Sequence, residues 1–103
     1  MNLDHFTNKI IVHEVVEITI SHPTAVLPQG VVFTGDILYS GEGNVYLGCI
    51  FDESRPKRNF KFKIVDDHAF FKLQYNYRLI GTKMYPLMTG GVKSISVYVE
   101  KEL

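Results

Sequence analysis

The sequence predicts an all-β protein, a single small antiparallel β-sandwich or partly open barrel of about six to seven strands. Three observations carry that expectation. Apolar residues recur at period two far more than at the period of a helix. The runs are written in Val, Ile, Phe, Tyr and Thr, which suit a pleated, half-buried surface. The intervals between runs are mostly short turns rich in Gly, Pro, Asn and Ser, which leaves no room for crossover helices. At 103 residues the chain is one domain with one core, residues 1–8 forming a flexible N-terminal segment. Chemistry is therefore expected on a surface or between subunits, not in a deep chamber.

The first strand falls over residues 9–20, where the adjacent Val15 and Val16 disturb the alternation and suggest a bulge or bend. SHPTAVLPQG, residues 21–30, reads as a connection. Pro23 and Pro28 fix φ and cannot donate to a ladder, which argues against a central strand. VVFTGDILY, residues 31–39, is the second strand, with a bulge or close backbone approach at Gly35. SGEGN then supplies residues that tolerate positive φ, so residues 31–39 and 45–52 should pair as a hairpin.

After the charged loop ESRPKR, the strand NFKFKIV places Phe60, Phe62 and Ile64 on one face and Lys61 and Lys63 on the other. Asp66 and Asp67 suit a turn, or the cap of a short helical turn from His68 to Phe71. The alternation of Phe71, Leu73, Tyr75, Tyr77 and Leu79 favours a strand whose sure part is residues 75–85. A turn at Thr89, Gly90 and Gly91 leads to the closing strand VKSISVYVE, with Ile95, Val97 and Val99 on one face.

Eleven basic residues balance eleven acidic ones, yet the cancellation hides a division. Residues 1–54 carry seven carboxylates and one cation, a net of −6, and residues 55–103 carry ten cations and four carboxylates, a net of +6. Such a chain attracts an anionic partner to one surface, or pairs its acidic half with the basic half of a neighbour. The lone Cys49 excludes an intramolecular disulfide and suits a reducing compartment. The first residues lack the basic start and apolar stretch of a signal peptide, and no run approaches the ~20 apolar residues of a membrane span. The expected location is cytoplasmic, with no membrane partner.

The order of several short motifs carries a resemblance. LPQG at Leu27 is followed by an apolar strand and a Gly turn, a strand ending in Asp52, and Arg58-x-Phe60-x-Phe62-x-Ile64. Then come Leu79-Ile80-Gly81-Thr82, Gly90-Gly91 and a last strand ending VEKE. This order resembles a family of short phage and prophage proteins classed as a domain of unknown function, over roughly residues 10–100, nearly the whole chain. The resemblance implies a β fold, a phage origin and hence a host-cell cytoplasmic location; it brings no activity, catalytic residue or cofactor. Asp66-Asp67-His68 stands where the family has a TGH triplet, and Tyr98 where it has a Trp-x-His stretch, so no site transfers.

The residues themselves offer little catalysis. His5, His13, His22 and His68 show no spacing that puts two imidazoles on one face, and Asp66, Asp67 and His68 are explained by a cap or turn before a metal or acid/base site. Cys49 lies in the apolar run LGCIF, where a buried thiol is inert. No nucleophile elbow, Walker loop or dinucleotide fingerprint is present, so no enzyme, metal or cofactor is expected.

RPKRNFKFK is the sharpest local feature, with five cations and no acid. Together with tyrosines farther on it defines the candidate ligand-binding set Arg55, Lys57, Arg58, Lys61, Lys63, Tyr75, Tyr77, Arg78 and Lys83, a combination of charge and stacking that suits a nucleotide. The plainer readings are a solvated basic edge for the cations, and core packing plus a homo-oligomer seam for the aromatics. The functional expectation is a non-enzymatic phage accessory binding protein that sequesters a nucleotide signal or blocks a host defence protein. The alternatives are a structural or assembly accessory of a virion and a module for single-stranded nucleic acid.

Overall fold

The computed structural model describes residues 10–40, 42–66 and 76–101, and within them the alternating runs become seven strands. These are β1 (Ile11–Thr19), β2 (Thr24–Pro28), β3 (Val32–Tyr39), β4 (Asn44–Asp52), β5 (Lys57–Asp66), β6 (Tyr77–Pro86) and β7 (Val92–Glu100). They form two antiparallel sheets, β1-β4-β3 and β2-β5-β7-β6. Among the described residues none is helical, and no helix there is long and apolar enough to cross a membrane.

The core follows from the pleat. Val45, Leu47, Cys49 and Phe51 of β4 are buried alternately, and they face Phe60, Phe62, Ile95, Val97 and Val99 from the other sheet. The Phe33 and Phe62 rings meet edge to face, 5.6 Å apart at 86°, the arrangement that brings a ring edge to the negative face of its partner.

The β1-β4-β3 sheet is left twice, after β1 and after β4, each time through a hydrogen-bonded corner. After β1, the Thr19 hydroxyl accepts from the His22 amide at 3.0 Å and turns the chain toward β2. After β4, the Asp52 carboxylate accepts from the Ser54 hydroxyl at 2.6 Å, the Ser54 amide at 3.0 Å and the Ile10 amide at 3.0 Å. These bonds tie the entry of β1 to the exit of β4. They hold the Asp52 carboxyl below its ordinary range, the Ser54 hydroxyl contributing most and the Ile10 amide next.

The sheets also meet along β3 and β6. Register shifts interrupt β3 between Phe33 and Ile37 and β6 between Leu79 and Gly81. Gly35, in the first, takes φ of 92°, open to glycine at no steric cost. A Cβ on Gly81 would lie 3.2 Å from the Gly35 carbonyl oxygen, so the two irregularities pack backbone to backbone. Farther along, the Tyr39 and Tyr85 rings lie 5.5 Å apart across the same seam.

The bulge at Gly35, the hairpin of β3 with β4 and the closing strand agree with the sequence reading. Two expectations are corrected. Val15 and Val16 make no bulge: β1 keeps one unbroken register against β4, and the pair places one apolar side chain on each face. SHPTAVLPQG is not only a connection, because residues 24–28 form β2, an edge strand whose unpaired side tolerates proline. Asp66 is the last residue of β5, opposite Ile95. The rest of the expected turn, residues 67–71, lies outside the described residues, as do Tyr75 and the N-terminal segment.

Candidate functional site

The pleat gives each sheet an outward face as well as a core face. On β1-β4-β3 that face is unusually apolar. Ile11 is 58% exposed, Val15 67%, Val32 58% and Leu38 61%, with Tyr46 and Ile50 half-buried between them. A solvated face of an antiparallel sheet should be polar. Gly48 lies at its centre, and the β3 bulge folds Thr34 and Asp36 over it: a Cβ on Gly48 would fall 2.6 Å from Thr34 Oγ1 and 3.2 Å from Asp36 Cβ. The Thr34 hydroxyl donates to the Asp36 carboxylate at 3.1 Å.

Beside this point is a cleft of about 450 Å³, lined by Val15, Asp36, Ile37, Leu38 and Tyr46 and closed on the β6 side by Thr82 and Lys83. A smaller hollow of about 270 Å³ shares Val15, Asp36 and Gly48 and runs toward His13 and Thr34. The site is therefore an open apolar groove with one carboxylate at its middle and one ammonium at its rim.

Charge divides by sheet. The strands β1, β3 and β4 carry Glu14, Glu17, Asp36 and Asp52 and no Lys or Arg. The strands β2, β5, β6 and β7 carry seven cations against Asp66 and Glu100. The outward face of this second sheet also bears exposed apolar side chains, Val26, Leu79, Met84 and Val92.

The basic and aromatic residues singled out in the sequence do not share one surface. Lys57, Lys61 and Lys63 are exposed on the outward face of β5. Arg58 belongs to the other side of that strand, its guanidinium 5.2 Å from the Phe60 ring centroid. Arg78 and Lys83 pair with the inward-facing Val99 and Ile95, so they too lie on the inner side; Arg78 reaches the Phe33 ring at 6.0 Å and Lys83 lines the cleft. Arg55 is exposed in the loop before β5. Tyr77 is only 8% exposed, and burial, with the Glu100 carboxylate, pushes its phenol above the ordinary range. Tyr75 lies outside the described residues. What the fold does bring together is Lys63 beside Tyr98, cross-strand partners 35 positions apart in sequence.

Cys49 is 1% exposed, and its pKa is raised by burial and then by the Glu14 carboxylate. Among the described residues no group of three or more His, Cys, Asp or Glu side chains is placed to hold a metal ion. The groove was missed from sequence because Asp36, Leu38 and Tyr46 carry no motif. A signal existed in the doubled apolar residues Val15-Val16 and Ile37-Leu38, which mark strands apolar on both faces. Comparison with protein-family models, curated proteins and solved structures gives no match.

Proposed function

We propose that this chain is a non-enzymatic assembly protein that joins other subunits through the outward face of β1-β4-β3. Following the resemblance noted in the sequence, it would act as an accessory of a phage particle. The observation that carries the reading is the exposure of Val15 and Leu38 at the groove, with Val32 exposed on the same face, because contiguous exposed apolar surface marks interaction sites.

The area sets the strength. Three strands about nine residues long span about 30 by 14 Å, or roughly 400 Å². Counted on both partners such a contact buries roughly 800 Å², below the ~1,200 Å² at which stable specific interfaces begin. Contact through this face is therefore weak and concentration-dependent, as suits a subunit that assembles when its local concentration rises. Light scattering over a concentration series tests it: the average mass should climb with concentration, and a strictly monomeric protein throughout would overturn the proposal.

The nucleotide reading keeps one support, the outward row of Lys57, Lys61 and Lys63 with Tyr98 at its side. Calorimetric titration with cyclic oligonucleotides decides it, since affinity tighter than about millimolar would restore that reading.

A further inference from the structure

We infer that the occupant of the apolar groove face is the outward face of β2-β5-β7-β6 on a second copy, so that copies associate head to tail. The inference rests on the assembly reading above and names the partner. The two faces are complementary in both chemistries an interface uses. One presents Val15 and Leu38 with Glu17 and Asp36; the other presents Val26 and Leu79 with Lys61 and Lys63. Like faces would bring carboxylates against carboxylates or ammoniums against ammoniums, a juxtaposition that interfaces avoid. Unlike faces bury apolar surface while pairing opposite charges around it.

This geometry has a consequence for growth. A contact between two different patches leaves one acidic and one basic face free at the ends of every open assembly. Copies therefore add until the rotation closes a ring, or without limit as a filament if it does not close. Two-fold pairing through a single face would stop at the dimer. The open groove of about 450 Å³ beside Val15 and Leu38 gives the opposing apolar side chains a place to seat.

Two single-face variants test the inference. Leu38→Lys, with Glu17→Lys as a second version, blocks the acidic face; the double variant Lys61→Glu, Lys63→Glu blocks the basic one. All four positions are exposed, and thermal melts by circular dichroism verify folding. Analytical ultracentrifugation should find each variant monomeric where wild type associates, with half-association at least about tenfold higher in concentration. Mixed in equal amounts, the two classes should recover association, because each supplies the face the other lacks. Raising salt from about 50 mM to about 500 mM should weaken the wild-type assembly. If the basic-face variant alone assembles as wild type does, the contact joins acidic faces and the inference is wrong; if the acidic-face variant does so, it is wrong in the other direction. A wild-type protein that never associates instead removes the assembly reading on which the inference stands.

Discussion

Replacing Gly81 by alanine tests whether β3 and β6 close the two sheets together. Gly81 has no positive φ, so alanine is conformationally allowed and restricts the unfolded chain, a gain of about 0.4–1 kcal/mol. Against that, the new methyl would lie 3.2 Å from the Gly35 carbonyl oxygen, 3.2 Å from Ile37 Cδ1 and 3.6 Å from Gly35 Cα. Ile37 can shift its terminal methyl, but the Gly35 contacts are backbone atoms, so relief requires β3 to move as a unit. Overpacking of this kind costs about 1–3 kcal/mol. The balance is a loss of about 1 kcal/mol, which lowers Tm by about 4–8 °C in a domain near this size. Gly81→Val, with a second methyl in the same gap, should lose more. The assay is thermal and urea unfolding followed by circular dichroism. An unchanged or raised Tm for Gly81→Ala would mean that the strands do not approach here, and the closed seam would have to be abandoned.

Phe62→Ala should cost about 3–5 kcal/mol, read from the urea midpoint, because its ring is 2% exposed and packs on Phe33 between the sheets; a loss below about 1 kcal/mol would contradict that placement. Cys49 should resist a thiol reagent in native buffer and react once denatured, since it is buried and its pKa is raised; rapid native labelling would argue against a closed core. Cys49→Ser should destabilise by about 1–3 kcal/mol in calorimetry by placing a hydroxyl among apolar neighbours, and a neutral result would count against an apolar surrounding. Asp52 has a depressed folded pKa, so its contribution is complete above the ordinary carboxylate value of about 4 and fades as pH falls through the folded value. Asp52→Asn should flatten the acid limb of a stability-against-pH curve, and an identical limb would show that its bonds to Ser54 and Ile10 do not couple to folding.

Much of the fold was legible because the pleat imposes a period on residues that must be buried on one side. Phe60, Phe62 and Ile64 follow it, as do Ile95, Val97 and Val99, and β4 is entered through Gly43, whose φ of 93° suits glycine. The strand β2 was obscured because Pro23 before it and Pro28 at its end cannot donate to a ladder, a cost that vanishes at an edge. The misread bulge at Val15-Val16 had a related cause: a doubled apolar pair has two physical explanations, and only the continuous register against β4 separates them. The candidate site was the least legible part. Neighbouring cations such as Lys57 and Arg58 fall on opposite sides of their strand, while Lys63 and Tyr98 meet only through pairing.

By itself the sequence determined that the chain is built of alternating strands and that its acids precede its bases. Local forces suffice for both, because the alternation is written residue by residue and charge is a matter of composition. Tertiary structure decided what the division of charge means. Apart from the uncharged β2, the acidic half of the chain builds one sheet, and the basic half builds the other. A separation along the chain thus becomes a separation between two outward faces, since antiparallel pairing joins β3 to β4 and β6 to β7 across short turns and keeps each half largely within its own sheet.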